Sequence, residues 1–174
     1  MHLDAGDATL IQIVDAALAE AARRSGPWLV CRPGCTQCCL GPFPINQLDA
    51  RRLRQGLAAL EVSDRDRAAR VRESARAYTE TDDEPCPALD PATGHCDLYA
   101  ARPLTCRTFG PPVRCGSYEV GVCELCFSGA TDDEIAACEV EIDPEGMEAE
   151  LLAEMDLMEM TTVAAALAPG ISNT

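Results

Sequence analysis

Apolar residues recur at helical spacing near the start of the chain. The repeating positions between Thr9 and Arg24 are Leu10, Val14, Ala17, Leu18 and Ala21. Positions spaced in this way share one face of an α-helix, so the pattern predicts an amphipathic helix. The dipeptide Gly26-Pro27 follows, and it is a typical helix stop. We therefore expect the first helix to end before Gly26.

A second helical region carries most of the arginine in the chain. Its apolar positions are Leu53, Leu57 and Leu60 in one helix and Val71, Ala75 and Tyr78 in the next. Ser63, with Asp66 three positions later, resembles a capping box at the start of the second of these helices. Residues 46–80 are thus predicted to form a helical hairpin with apolar inner faces.

The last helix is predicted from its start signal and its apolar stripe. Asp143 is the expected N-cap, and Pro144 suits the first helical position. The stripe and the stop signal are Met147, Leu151, Met155, Met158 and Thr162, followed by Pro169-Gly170. A row of methionines on a helix packs in a core more often than it binds a soft metal. We therefore expect a packing role for this stripe.

The stretch from residue 80 to residue 130 lacks helical periodicity. Six prolines and several glycines interrupt it, and these residues favour turns. Short strands or turns are expected at His95–Ala100 and Ser117–Val122. The predicted fold class is therefore mainly α, with a loop-rich, cysteine-rich metal-binding core and few or no short strands.

The length of the chain, 174 residues, suits a single domain. Within this domain we expect an N-terminal helix over 1–26 and a cysteine-cluster module over 27–130. The helical hairpin 46–80 is inserted in that module. An acidic C-terminal helical region follows over 131–174.

The net charge of the chain is −15. This charge opposes nucleic-acid binding, because affinity for phosphate comes from cationic side chains that release counterions. Eight arginines lie within residues 51–76, whereas residues 132–159 are rich in carboxylates and contain no arginine. Attraction between these two stretches is one interpretation. The simpler interpretation is that both are solvated helix faces. A protein partner would use the acidic C-terminal helix.

Cysteine usage is the strongest compositional signal. The chain has eleven cysteines, and an odd number rules out complete internal disulfide pairing. The start, MHLDAGDATL, lacks the regions of a signal peptide, and no later segment is long and apolar enough to span a membrane. A cytoplasmic location is therefore expected, where dense cysteines bind metal more often than they form disulfides.

Ten of the cysteines fall in three groups along the chain. They are Cys31, Cys35, Cys38 and Cys39, then Cys86, Cys96 and Cys106, then Cys115, Cys123 and Cys126. These thiols more than fill two four-ligand sites, so one or two thiolate centres that hold zinc or iron are predicted, with an iron–sulfur cluster as one form of the iron option. Cys138 is the expected spare, a small buried residue in the helix DDEIAACEV.

The adjacent residues Cys38 and Cys39 are expected to point in different directions from the backbone. One thiol would then face one metal, and its neighbour would face a second set of ligands. Pro33-Gly34 supplies a tight turn between Cys31 and Cys35.

Charged residues lie beside several of these cysteines. The arginines that are candidates for offsetting thiolate charge are Arg32, Arg102, Arg107 and Arg114. His95 precedes Cys96, and we expect it to be hydrogen-bonded or exposed rather than a ligand.

The spacing Cys31-x3-Cys35-x2-Cys38 is also the pattern by which radical S-adenosylmethionine enzymes hold a cluster. Those enzymes need a barrel of alternating strands and helices, usually with an aromatic residue before the third cysteine. Here Gln37 stands at that position, and no series of strands and helices follows. The sequence therefore does not favour this class.

Several linked motifs resemble one known family. They are Cys31-x3-Cys35-x2-Cys38-Cys39, Cys86-Pro87-x-Leu89, Gly94-x-Cys96-x-Leu98-Tyr99 and Arg102-Pro103-x-x-Cys106-Arg107-x-Phe109. In this order, over residues 31–109, they resemble the YkgJ-type cysteine-cluster family, a zinc- or iron-chelating domain named for its CxxCxxCC signature. The resemblance implies a metal-chelating domain whose ligands are Cys31, Cys35, Cys38, Cys39, Cys86, Cys96 and Cys106.

Three hypotheses about function follow. The leading one is a metal-binding protein with metal ions as its partners. The resembled family is also similar to the cysteine-rich portion of flagellin lysine methylases, so the second is an iron–sulfur-dependent enzyme related to protein lysine N-methylation. The third is a redox thiol switch at the CELC pair, Cys123 and Cys126. No Gly-rich nucleotide loop or catalytic triad spacing is present, so a binding protein is favoured over an enzyme.

Overall fold

The computed structural model of the protein describes residues 3–115, 122–156 and 159–168. Over these residues it contains seven α-helices and four strands of two or three residues each. In chain order they are α1 (Leu3–Ser25), β1 (Pro44–Ile45), α2 (Gln47–Ser63), α3 (Arg65–Ala77), α4 (Leu104–Thr108), β2 (Val113–Cys115), α5 (Asp132–Cys138), β3 (Val140–Ile142), α6 (Met147–Met155), β4 (Thr161–Thr162) and α7 (Val163–Leu167). The predicted mainly α fold class is confirmed. Among the described residues, no helix combines the length and hydropathy that a membrane span needs.

The chain divides into two compact units. The first unit consists of residues 1–32 and 105–157, and the second of residues 33–104 and 158–174. Each unit is therefore built from two separate stretches of chain. The boundary after residue 32 falls inside the stretch CRPGCTQCC, so the cysteines of that stretch belong to both units. The single-domain expectation stays a prediction.

In the first unit, α1 packs against α5, α6 and β3. Its buried apolar positions are Leu10, Val14 and Ala21. The helix begins at Leu3, earlier than predicted, and it ends at the predicted place, before Gly26 with a φ of +49°. β2 and β3 form a parallel pair in which Val113 lies opposite Val140. The helix face predicted from the sequence therefore covers a core of this unit.

In the second unit, α2, α3 and α7 pack on one another. Core positions on the helical pair are Leu53, Leu57, Leu60, Ala68 and Val71. The predicted cap of α3 is wrong by one residue. Asp64, not Ser63, is the N-cap, and its carboxylate accepts a hydrogen bond from the Arg67 amide at 3.1 Å. Ser63 ends α2, where its hydroxyl donates to the Ala59 carbonyl.

The single long helix predicted from Asp143 onward is wrong. The Asp143 carboxylate does accept hydrogen bonds from the amides of Met147 and Glu148, at 2.8 and 2.9 Å. The helix itself, α6, begins at Met147 with Gly146 as its N-cap and is only nine residues long, so the predicted N-cap at Asp143 and first helical position at Pro144 are wrong. Gly146 precedes α6 with a φ of +73°, and Asp156 ends it in the left-handed conformation.

Tertiary pairing explains why the helix does not continue along the predicted stripe. β4 pairs with β1 in antiparallel fashion, which requires extended backbone at residues that the helical pattern included. Thr162, at the end of β4, then caps α7 by accepting a hydrogen bond from the Ala165 amide at 3.1 Å. The predicted stripe position Met158 and the predicted stop Pro169-Gly170 lie outside the described residues.

At His95–Ala100 the turn alternative is confirmed and the strand alternative is wrong. Leu89 and Cys96 form an isolated bridge, and a 3-10 helix over Tyr99–Ala101 follows. Of the second expected stretch, only Val122 lies within the described residues.

Gly56 lies where α2 packs closely on the 3-10 helix Tyr99–Ala101, and a substitution there tests this packing. A Cβ atom at position 56 would lie 2.3 Å from the Cβ of Ala101. Alanine gains about 1 kcal/mol over glycine in helix propensity, but overpacking costs about 1–3 kcal/mol. We predict that Gly56→Ala lowers the free energy of unfolding by roughly 1 kcal/mol in chemical denaturation.

The double variant Gly56→Ala/Ala101→Gly is the control for this prediction. It removes the opposing methyl group, so it should be more stable than Gly56→Ala alone. If Gly56→Ala proves about 1 kcal/mol more stable than the unaltered protein, as helix propensity alone would make it, the close contact with Ala101 is contradicted.

Candidate metal centre

Two cysteine segments of the second unit are joined by backbone hydrogen bonds. The Cys86 amide donates to the Cys39 carbonyl at 2.7 Å, and the Gly41 amide donates to the Glu84 carbonyl at 2.9 Å. Between them, Leu40 forms an antiparallel bridge with Pro85. The helical pair of α2 and α3 separates these segments in sequence, and the backbone contacts bring them side by side.

The loop from Cys86 to Cys96 places backbone amides beside both sulfurs. The amides of Ala88 and Leu89 hydrogen-bond to the Cys86 sulfur, and the Leu98 amide does the same for Cys96. Burial raises the pKa of both thiols, to about 11 for Cys86, and these amide bonds oppose that rise because they stabilise the thiolate. Such donors are what a metal-bound thiolate requires.

The adjacent thiols of Cys38 and Cys39 contact each other. Gln37–Cys39 forms one turn of 3-10 helix, and the Cys39 thiol hydrogen-bonds to the Cys38 sulfur. This bond lowers the pKa of Cys38 and raises the pKa of Cys39. The expectation that the two side chains point in different directions is therefore wrong for their thiols, which meet although successive residues of a 3-10 helix project about 120° apart.

Four thiols of the second unit form one electrostatic group. The charges of Cys86 and Cys96 raise the pKa of Cys39, and the charge of Cys38 raises the pKa of Cys86 and Cys96. We call these residues the four-thiol group: Cys38, Cys39, Cys86 and Cys96. Thiolates that repel one another in this way are stabilised by a bound cation.

Cys35 lies beside the four-thiol group. A Cβ atom at Gly94, which has a φ of +69°, would lie 3.4 Å from the Cα of Gly34 and 3.6 Å from the Thr36 side chain. The residues on both sides of Cys35 therefore lie against the loop that carries Cys96. The predicted turn at Pro33-Gly34 is present, and the φ of Gly34 is +87°.

The donor chemistry of the four-thiol group fits zinc or iron. All four donors are sulfur, which both metals accept, and amide groups hydrogen-bond to the sulfurs of Cys86 and Cys96. Within residues 3–115, 122–156 and 159–168, no three Cys, His, Asp or Glu side chains converge as a complete ligand set. The sulfurs of the four-thiol group therefore do not surround a single point in this structure.

The arginine and histidine candidates differ in their surroundings. Arg102 lowers the pKa of Cys96 by its charge, and it lies 3.9 Å over the Tyr99 ring. Arg107 pairs with Asp15 at 2.8 Å, and Arg114 pairs with Glu139 at 2.6 Å. Arg32 and His95, the other two candidates, have exposed side chains.

Asp97 is a site residue that the sequence pattern did not single out. Its side chain is 1% exposed and forms ion pairs with Arg67, at 2.7 Å, and with Arg70. These contacts tie the loop that carries Cys96 to α3. The only signal in the sequence is that Asp97 follows Cys96, because its partners lie in a different helix.

In the first unit, a second thiol group surrounds Cys126. The buried Cys126 sulfur accepts hydrogen bonds from the amides of Val30 and Cys31, and it contacts the Cys123 thiol. Burial is the main cause of the raised pKa of Cys126. We use the name second thiol group for the pair Cys123 and Cys126, beside which the Cys31 amide lies.

The remaining thiols of the first unit lie in other surroundings. The pKa of Cys115 is raised by burial and by the charges of Glu148, Asp143 and Glu141. Cys138 is buried at the end of α5, and its thiol donates to the Arg24 carbonyl at 3.3 Å. Cys106 is half-buried in α4.

The fold and the four-thiol group define a cysteine-rich, mainly α protein with the donors of a thiolate metal centre. Residues 30–128 match the model of the CxxCxxCC family, whose description is "putative zinc- or iron-chelating domain". This match covers more than half of the chain, so the chain belongs to that family, and the resemblance read from the motifs is confirmed. Neither the curated proteins nor the solved structures provide a match.

Asp97 allows a test of how the Cys96 loop is held. We predict that Asp97→Asn lowers metal affinity by about 10-fold, because outer-shell contacts that position a ligand contribute on this scale. Affinity is measured by competition with a chromophoric chelator, with circular dichroism as a check on folding.

Asp83→Asn is the matched control for Asp97→Asn. Asp83 is exposed in the same unit, and the substitution makes the same change of charge. Equal affinities of the two variants would contradict a positioning role for Asp97.

Proposed function

We propose that the protein binds zinc or iron through thiolates and that the four-thiol group is its principal metal centre. The observation that supports this most is the backbone pairing that sets Cys39 beside Cys86 and Leu89 beside Cys96, so that the segments carrying Cys38, Cys39, Cys86 and Cys96 lie together in one unit. Four sulfurs satisfy one tetrahedral ion or one iron–sulfur cluster. Cys35, on the neighbouring loop, is a fifth donor available to the same centre.

Charge balance favours a cation at this group. The chain carries a net charge of −15, so four further negative charges in one place are costly without a metal. A divalent ion neutralises half of that charge. The amide donors and Arg102 offset part of the remainder. The bound metal would crosslink the loops that carry the four thiols. A role in metal handling or sensing would depend on binding and release of that metal.

The second thiol group supports a second candidate site. Two amides donate to the Cys126 sulfur, and Cys123 contacts it, which is a suitable start for a second centre. Two thiols are half of the four ligands of a structural zinc site. The same pair, Cys123 and Cys126, has the spacing of a reversible disulfide, so the redox-switch hypothesis uses the same residues.

The methyl-transfer alternative and the cytoplasmic location stay predictions. A reducing cytoplasm would keep the thiols of both groups available for metal. Loss of metal under oxidising conditions would then be the expected behaviour of the purified protein.

Metal content tests the four-thiol group directly. We predict that protein purified without oxygen holds about one equivalent of zinc or iron at this group, and that Cys86→Ser loses it, because a hydroxyl is a poor ligand for these metals. Elemental analysis identifies the metal. A visible absorption band together with sulfide distinguishes an iron–sulfur cluster from zinc.

Cys138→Ser is the control for Cys86→Ser. Cys138 is buried, and its thiol donates to a backbone carbonyl, a role that a serine hydroxyl can take over. Protein that is purified without oxygen, is stably folded and contains neither zinc nor iron would contradict the proposed function, as would equal metal content in the two variants.

The second thiol group makes a separate prediction about stoichiometry. If it binds metal, the intact protein holds about two equivalents and Cys126→Ser lowers this by one while the four-thiol group keeps its own. If it is a redox pair, metal content is unchanged, and mass spectrometry after mild peroxide treatment finds a Cys123–Cys126 disulfide. If neither of these results is obtained, both roles of the second thiol group are contradicted.

A further inference from the structure

One buried polar group near the four-thiol group has no hydrogen-bond partner among the described residues. It is the hydroxyl of Tyr78, the residue that follows α3. A buried hydroxyl without a partner lowers stability, and most such groups in folded proteins are satisfied. An exception beside a candidate metal ligand makes that ligand a candidate partner of the hydroxyl.

Tyr78 and Cys86 line the same small cavity, which is about the size of one water molecule. Most other lining residues are apolar or glycine: Gly41, Pro42, Phe43, Pro87, Val163 and Ala164. Thr162 also lines the cavity, but its hydroxyl oxygen already accepts a hydrogen bond from the Ala165 amide. Thr162 and Cys86 thus carry the side-chain acceptors of this lining, and the sulfur of Cys86 is the one that becomes a stronger acceptor when it ionises.

The effect of Cys86 on the pKa of Tyr78 agrees with the placement of the two side chains around one cavity. Burial raises the pKa of Tyr78, and the negative charge of Cys86 raises it further. A tyrosine hydroxyl carries its proton at neutral pH in any case and is therefore a donor. A neutral thiol is a weak acceptor, whereas a thiolate accepts strongly.

We propose that the Tyr78 hydroxyl donates a hydrogen bond to the sulfur of Cys86 when Cys86 is a metal ligand, and that Tyr78 is thus a positioning residue of the centre. This inference rests on the proposed function. On metal binding the Cys86 thiol releases its proton to solvent and the sulfur binds the metal. The free lone pair of the thiolate then accepts from Tyr78, whose proton stays on its oxygen. The cavity between the two side chains provides free volume for the movement that closes this contact.

Tyr78→Phe separates this role from a structural one. The substitution removes only the hydroxyl, so the metal-free protein should be as stable as the unaltered protein or more stable, since an unsatisfied buried group is lost. The affinity for Zn²⁺ should fall by about 10-fold. Zn²⁺ affinity is measured by chelator competition, and the stability of metal-free protein by thermal unfolding. Co²⁺ adds a spectroscopic readout, because loss of a hydrogen bond to sulfur moves its thiolate charge-transfer band.

Tyr99→Phe is the matched control. Tyr99 lies in the same unit and close to Cys96 in sequence, but it is 64% exposed. The same loss of one hydroxyl should leave the Zn²⁺ affinity, the Co²⁺ spectrum and the stability of metal-free protein unchanged.

The outcomes distinguish this inference from the proposed function. If Cys86→Ser abolishes Zn²⁺ binding and Tyr78→Phe binds as the unaltered protein does, the metal centre stands and the role of Tyr78 is overturned. A loss of stability in metal-free Tyr78→Phe overturns it too, because the hydroxyl then has a structural partner. If the unaltered protein does not bind Zn²⁺, or if Cys86→Ser binds it equally well, the proposed function itself fails.

Discussion

The second unit depends on one backbone contact, the hydrogen bond from the Cys86 amide to the Cys39 carbonyl. Together with the bridge between Leu40 and Pro85, it joins two cysteine segments that the whole α2–α3 pair separates in sequence. A contact this distant along the chain forms only when the helical pair has folded back on itself, since loop closure must be offset by the packing of α2 against α3. The assembly of the thiols is therefore coupled to the burial of the leucine face of α2.

Bringing thiols together creates an electrostatic problem, and the surroundings of the four-thiol group reduce it. Each ionised sulfur raises the pKa of its neighbours, in a chain that is already strongly acidic. Backbone amides at Cys86 and Cys96, together with Arg102, favour the charged sulfurs. Asp97 acts in the opposite direction on Cys96, yet its ion pairs with Arg67 and Arg70 hold the loop in position. Asp97 thus holds Cys96 in position although its charge disfavours the Cys96 thiolate. A bound cation would relieve the repulsion between the sulfurs.

The sequence predicted the helices well where periodicity and stop signals agreed, as in α1 before Gly26 and in the hairpin of α2 and α3. It failed where a distant segment changed the local preference. The C-terminal stripe has helical spacing, but β4 pairs with β1, and a hydrogen-bonded strand pair overrides a helical pattern of that length. The vicinal cysteines were misjudged for a different reason. Alternation of side chains applies to a strand, whereas Gln37–Cys39 is a 3-10 turn.

The sequence by itself determined the type of chemistry: sulfur donors in dense groups, turn-forming residues beside them, and ordered motifs that identify the CxxCxxCC family. It determined most helices as well, because helical periodicity is a local property. Only the tertiary structure decided which thiols meet, that Cys38 and Cys39 contact each other, that Asp97 holds the Cys96 loop, and that Tyr78 shares a cavity with Cys86. These contacts join residues that are distant in the chain or depend on one local backbone conformation. Residue type and spacing alone do not predict such contacts, because they form only when the whole unit packs.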